Sequence, residues 1–182
     1  MIKNIVAAIR TDEELEKVLK TEVETVFDLA SDLFTLKKRI ELLHKNNRKV
    51  FIHFDLATGI GKDKSGMSFV KAAGVDGIIT TRANIIKLAK EEGLFAIQRF
   101  FILDSHSIDT TLESLKKSKA DMMEIMPGII PKIIKRLKEE VDIPVIAGGL
   151  IETKEEIKEI LNNGAFAIST GKEELWNFKE CR

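Results

Sequence analysis

The 182-residue sequence predicts an α/β protein whose parallel strands close into an eight-stranded barrel. Short apolar runs of strand length recur eight times along it. Amphipathic segments with helical spacing alternate with them, and that order requires parallel strands joined by crossover helices. The strands also lack clean polar–apolar alternation, as expected where both faces are buried.

The predicted strands are "IVAAIR" (5–10), "TVFDLA" (25–30), "KVFIHFDL" (49–56) and "GIIT" (77–80) in the first half. "FAIQRFFI" (95–102), "MMEIMP" (122–127), "PVIAGG" (144–149) and "FAIST" (166–170) follow in the second. Val, Ile and Phe dominate them, which suits a buried pleated surface.

Helix patterns fill the intervals. In "DLFTLKKRIELLHKNN" (32–47), Leu33, Leu36, Ile40 and Leu43 recur at spacings of three and four and form one apolar face. "RANIIKLAKEEG" (82–93) and "TKEEIKEILNNG" (153–164) behave alike and close at Gly93 and Gly164, residues suited to a left-handed C′ position. "TDEELEKVLK", "DKSGMSFVKAAG", "DTTLESLKKSK" and "PKIIKRLKEEV" supply four more helices, and "KEELWNF" a short final one.

Eight such units fit a compact (β/α)8 TIM-type barrel with short loops. The rival, an open doubly wound sheet, usually has fewer strands and a phosphate loop after the first, which is absent here. The chain is shorter than the ~200 residues usual for such barrels, so its connections must be brief. No linker or low-complexity tract divides it, and residues 1–182 read as one domain. "GVDGIITT" (74–81) and "GAFAISTG" (164–171) form a faint echo half a barrel apart, a resemblance that chance could also produce.

Hydrophobic residues make up 44% and charged residues 32%, the composition of a globular protein. Lys+Arg and Asp+Glu both number 29, which argues against general adhesion to nucleic acid or membranes. One cysteine, Cys181, excludes a disulfide framework and a Cys-based zinc site. "MIKNIVAAIR" lacks the apolar length and cleavage site of a signal peptide, and no run approaches the ~20 residues that span a bilayer. A cytoplasmic protein without membrane partners is expected.

In a barrel the ligand site lies at the C-terminal ends of the strands. Those ends carry His53, Asp55, Thr80, Gln98, Arg99, Asp104 and Glu124, polar residues that a core filled for stability alone would not need there. The seventh strand runs into Gly148-Gly149 and the eighth into Ser169-Thr170-Gly171. Barrels often bind phosphate between these two loops and a short following helix. Glycines let backbone N–H groups approach an anion, Ser169 and Thr170 add hydroxyl donors, and the start of "KEELW" adds free N–H groups. A tight strand-to-helix turn is the competing explanation of the glycine pair.

"GIGKDKSG" (59–66) is not a P-loop, because Leu56 stands where its first glycine belongs and Asp63 where Ser or Thr must bind magnesium. A mobile loop over the mouth, with Lys62 near the ligand, fits better. His53 and Asp55, two residues apart, are expected on one side of their strand. Asp55, Asp104 and Glu124 could ligate magnesium; a salt link from Arg99 to Glu124 or Asp104 is an equal alternative. No predicted strand ends in a lysine, which disfavours Schiff-base chemistry, whereas acid–base work by Glu124, Asp104 or His53 stays open. For RNA the candidates are Lys37, Lys38, Arg39 and Arg48 around one basic helix, with "PKIIKRLK" as a second basic face; an ordinary solvated face explains both from charge alone.

Six blocks together resemble the glycerol-uptake operon antiterminator regulatory proteins, the glycerol-3-phosphate-responsive antiterminators. They are "FIHFDLATGIGKD" (51–63), "DGIITTR" (76–82), "IQRFFILDS" (97–105), "EIMPGIIPKII" (124–134), "PVIAGGLI" (144–151) and "GAFAISTGKEELW" (164–176). The resemblance implies a barrel regulator with no cofactor that senses glycerol 3-phosphate as effector and binds the leader mRNA of a glycerol-utilisation operon. It assigns the ligand phosphate to Gly148, Gly149, Ser169 and Thr170, and the glycerol end to His53, Asp55, Gln98, Arg99 and Glu124. The sequence departs from the family at Thr80-Thr81-Arg82, where Ser-Thr-Lys is commoner, and at Thr58, where an acid is common. Zero net charge leaves RNA contact to one positive face or to the seam of a homo-oligomer. The alternative is a barrel isomerase or lyase acting on a small phosphorylated substrate, since the fold hosts many functions.

Overall fold

A computed structural model describes residues 5–178, so Cys181 lies outside the described residues. Eight parallel strands close into a barrel in sequence order, with β8 returning to β1. They are β1 (Ile5–Ile9), β2 (Thr25–Asp28), β3 (Lys49–His53), β4 (Gly77–Thr80), β5 (Phe95–Phe101), β6 (Met122–Met126), β7 (Val145–Gly148) and β8 (Ala167–Thr170). Seven α-helices alternate with them: α1 (Asp12–Val18), α2 (Leu36–Lys45), α3 (Lys64–Ala73), α4 (Ala83–Glu91), α5 (Ser105–Ser118), α6 (Pro131–Glu140) and α7 (Lys154–Asn162). This is the predicted (β/α)8 barrel.

Strand parity divides the core into two layers. Val6, Phe27, Phe51, Ile79, Ile97 and Ile146 fill the barrel interior, while Ala7, Val26, Ile52, Ile78 and Val145 pack outward against the helices. Inside, Phe27, Phe51 and Phe95 meet edge to face at centroid distances of 5.9 and 5.8 Å. Gly77 lies level with them in the ladder, and a Cβ there would stand 2.7 Å from the Phe51 ring. An aromatic floor therefore closes the barrel's N-terminal half.

Four expectations are corrected. Strand β3 ends at His53, and Phe54–Leu56 turn as a 3₁₀ helix, so Asp55 leaves the strand instead of following His53. Helix α2 begins at Leu36 because the residues before it pair elsewhere: Thr58 N–H donates to Ser31 O and Leu33 N–H to Thr58 O, both at 3.0 Å. Helix α5 begins at Ser105, four residues before the predicted start, under a capping box made by Asp104 and Ser107. The final helix shrinks to a 3₁₀ turn over Glu173–Leu175, too short to offer an anion a row of N–H donors.

Outside the barrel, Arg39 of α2 donates through Nε to Asp28 Oδ2 at 2.8 Å and through a terminal nitrogen to Asp28 Oδ1 at 3.2 Å, and it also meets Asp12. Its side chain is 7% exposed and that of Asp28 1%. Arg39 is thus a fully partnered strap between helix and strand and is removed from the RNA candidates. Arg48 is half-buried and donates to the Thr21 carbonyl before β2. Lys37 and Lys38 are exposed.

Candidate ligand site at the barrel mouth

Nearer the C-terminal strand ends, polar residues replace apolar ones in the interior. Arg99 on β5 and Glu124 on β6 are ladder partners, and Arg99 Nε donates to Glu124 Oε2 at 2.6 Å. Their side chains are 6% and 0% exposed. A buried pair of this kind repays desolvation only when its remaining polar atoms are also satisfied. Here they are not: Glu124 Oε1 and the neighbouring His53 Nδ1 are buried without a hydrogen-bond partner. Burial, reinforced by the Arg99 charge, holds the His53 pKa at about 4, so the ring is neutral near pH 7.

The glycine pair now has a local cause. A Cβ on Gly148 would stand 2.7 Å from Glu124 Oε1 and 3.1 Å from Ser169 Oγ, so Gly148 makes room for the carboxylate. Gly149 has φ +77° and Leu150 φ +60°, left-handed conformations that a leucine adopts at a cost of about 1–2 kcal/mol.

A cavity of about 260 Å³ opens at these strand ends, lined among others by Arg99, Ser169, Gly149, Leu150 and Gly171, with Glu152 on its rim. Arg10, at the end of β1, and Lys172, after β8, also line it. Neither has a carboxylate within salt-bridge distance among the described residues. Beyond its Nε bond to Glu124, the Arg99 side chain makes no other hydrogen bond among the described residues, and its terminal nitrogens are not among the buried unpartnered atoms. Those nitrogens are therefore donors available to the cavity. The Thr170 hydroxyl is already used, donating to Ile151 O at 3.4 Å and accepting from Lys172 N–H at 3.1 Å. Of the predicted pair, Ser169 alone keeps a hydroxyl for a ligand.

The β3–β4 corner follows the same plan half a barrel away. Thr80 Oγ1 accepts from Arg82 N–H at 3.2 Å, as Thr170 accepts from Lys172. His53 pairs with Ile79 one residue before Thr80, and Gly148 with Ser169 one residue before Thr170. Asp55, two residues past His53, matches Leu150, two past Gly148, in chain offset only, since Asp55 lies in a 3₁₀ turn and Leu150 at φ +60°. Asp55 accepts from Thr80 Oγ1 at 2.9 Å, Thr81 N–H at 2.8 Å and Arg82 Nε at 2.8 Å. Burial raises its pKa, but these hydrogen bonds and the Arg82 charge outweigh that effect and hold it below the ordinary value. An anion sits in this corner, and it is the protein's own.

The other predicted residues fall elsewhere. Gln98 points outward, its Nε2 donating to Ser114 Oγ of α5 at 3.0 Å, because strand parity gives the inward place to Arg99. Asp104 caps α5 on the exposed rim. Lys62 donates to Ala57 O and lies 5.0 Å from the Phe54 ring centroid, where burial lowers its pKa. Its segment is pinned by the Thr58 pairing, and Gly61 lies against Gly66 of α3. Asp55, Asp104 and Glu124 occupy three separate environments, and no group of three metal-ligating side chains occurs among the described residues. Sequence reasoning missed Arg10 and Lys172, although Arg10 is the first polar residue after an apolar strand and Lys172 the first charged residue after β8.

A closed (β/α)8 barrel with a half-satisfied ion pair and unpaired cations at its mouth defines the class. Within it, residues 5–176 match the model of the glycerol-3-phosphate responsive antiterminators, and the chain belongs to that family. The glycerol uptake operon antiterminator regulatory protein of Listeria monocytogenes is 33% identical, with a TM-score of 0.92 over 97% of this chain and 96% of that one. A glycerol uptake operon antiterminator-related protein of Thermotoga maritima is 35% identical, with a TM-score of 0.88 over 98% of this chain and 100% of that one. The uncharacterized protein YgcP of Escherichia coli is 31% identical over 173 residues, 94% of this chain and 91% of that one. The family is a regulatory one. No helix among the described residues is long and apolar enough to cross a membrane.

Proposed function

We propose that this chain binds glycerol 3-phosphate, unchanged by turnover, in the cavity beside Arg99, and that occupancy governs its binding to the leader mRNA of a glycerol-utilisation operon in the cytoplasm. The β7–β8 corner carries the ligand half of this reading. It lies opposite a corner whose carboxylate is held by Thr80, Thr81 and Arg82, whereas its own lining carboxylate, Glu152, forms no ion pair with Arg10, Lys172 or the free end of Arg99 among the described residues. Those three cations suit a phosphate dianion, while Ser169 and the Arg99–Glu124–His53 group offer hydrogen bonds to the glycerol hydroxyls. Family membership supports the RNA half. Ligand acts there by favouring an RNA-competent state that it binds more tightly.

The test is thermal unfolding with glycerol 3-phosphate, glycerol and inorganic phosphate in parallel. Ligand at 100 times its dissociation constant adds about 2.7 kcal/mol, and each kcal/mol shifts Tm by about 2–4 °C at this size. Selective stabilisation by glycerol 3-phosphate is expected, and equal shifts with phosphate would reject the ligand. Leader RNA retained in a mobility shift only when glycerol 3-phosphate is present is the companion result; retention indifferent to it would break the coupling.

A further inference from the structure

On the side of the mouth formed by β5 and β6, three large apolar side chains stand in solvent: Phe101 is 54% exposed, Leu103 86% and Ile129 38%. Beside them a groove of about 470 Å³ runs between the first turns of α5 and α6, its apolar lining made by Ile102, Leu103, Ile108, Ile130 and Ile133. Leu103 also borders a second hollow of about 410 Å³ lined in part by Phe100, Phe101 and Thr110. A projecting apolar ridge thus lies between two depressions on one face. Contiguous apolar patches of this kind mark contact surfaces.

Charge around the groove is divided by wall. Toward the groove the α5 side exposes Asp104, Asp109 and Glu113 and the α6 side Lys132, Lys135 and Arg136; at the far ends of the helices the signs mix, with Lys116 and Lys117 on α5 and Glu139 and Glu140 on α6, the last paired with Arg136. The two walls already attract, since an Arg136 terminal nitrogen lies 3.4 Å from Asp109 Oδ1. Three acids against three bases make a poor surface for nucleic acid, which needs a cationic surplus. They make a good one for the same face turned through 180°, because a two-fold axis brings each wall against its opposite.

We propose that this face is a two-fold interface between two copies of the chain, with Leu103 of each copy seated in the α5–α6 groove of the other. The acidic α5 wall of each copy then meets the basic α6 wall of its partner. The pairing is independent of the ligand reading, although Phe101 continues β5 only two residues beyond Arg99.

Sedimentation equilibrium of the full chain tests it. Twice the chain mass is expected at micromolar concentration, and Leu103→Glu weakens association more than tenfold with the far-ultraviolet circular dichroism spectrum unchanged. Two surface variants then separate this geometry from any other dimer. Lys132→Glu with Arg136→Glu makes both walls acidic, and Asp109→Lys with Glu113→Lys makes α5 basic like α6. Each variant alone sediments as a monomer, and an equimolar mixture of the two re-forms a dimer. A wild-type chain that stays monomeric through the micromolar range overturns the proposal, as does a dimer indifferent to Leu103→Glu or a mixture that fails to re-pair.

Discussion

The β3–β4 and β7–β8 corners share a strand-end register and a threonine turn, but they leave the first strand of each pair differently: by a 3₁₀ turn at Phe54–Leu56 and by left-handed residues at Gly149-Leu150. The second strand of each pair ends in a threonine whose hydroxyl accepts the N–H of a cation two residues on, Arg82 in one and Lys172 in the other. In the first corner Asp55 accepts from Thr80, Thr81 and Arg82; in the second the residue at the same chain offset is Leu150, the nearby Glu152 pairs with no cation among the described residues, and the cavity lies there. The difference teaches that the same arrangement of donors can be structural or receptive. A built-in carboxylate makes a fastening of it, and its replacement by an apolar residue leaves the donors for something else.

The sharpest way to break the comparison is to remove the partner that keeps the receptive half from being an ordinary core. Arg99→Ala leaves Glu124 buried and unpaired, a loss of about 3–5 kcal/mol. Calorimetric unfolding is expected to show a Tm lower by roughly 6–20 °C, together with loss of the glycerol 3-phosphate response.

Acid strikes His53, at the end of β3 on the other side of the mouth, next. His53 is neutral in the fold with a pKa of about 4, whereas the unfolded side chain titrates near 6.5. Unfolded chains therefore bind the proton first as pH falls. The stability contributed by the neutral ring is complete above pH 6.5 and declines toward pH 4, by about 3 kcal/mol in all. Denaturant titrations at pH 7 and pH 4.5 measure the decline, and His53→Gln is expected to flatten it; an unaltered slope in that variant assigns the decline to another group.

Asp55→Ala opens the fastened corner. Loss of hydrogen bonds to a charged acceptor costs about 1.5–3 kcal/mol, with ligand affinity at the other corner retained. Because the Asp55 pKa is depressed, its contribution is present above the unfolded value near 3.9 and disappears as pH falls through the lower folded value. The deficit of the variant relative to wild type should therefore shrink in strong acid.

The smallest stability change carries the most specific message. Leu150→Asp adds a second carboxylate to the cavity lining beside Glu152, at a left-handed position that Asp tolerates better than Leu. Stability is expected within about 1 kcal/mol of wild type, with the glycerol 3-phosphate shift abolished. A full ligand shift in this variant would uncouple the cavity from the corner.

Much of this was legible in advance. Eight apolar runs and the helix spacings between them fix the barrel, and Gly149 and Ser169, singled out at strand ends, both line the cavity. What the chain hides is facing. "FAIQRFF" is apolar on both sides, so nothing in it tells that Arg99 points in and Gln98 out. "KKR" in α2 reads as a solvated run, and only the outward facing of Asp28 turns Arg39 into a buried strap. The turn at Phe54–Leu56 likewise has no glycine or proline to announce it, which is why Asp55 was expected beside His53. The echo between "GVDGIITT" and "GAFAISTG" was faint in letters, yet the hydrogen bonds of Thr80 and Thr170 repeat.

The aromatic floor of Phe27, Phe51 and Phe95 has a kinetic consequence. With the barrel plugged below, a small molecule at Arg99 enters and leaves by a single door, between the loops of the rim. Residence time is then set at that door, and whatever macromolecule settles across it slows departure without touching the bound molecule.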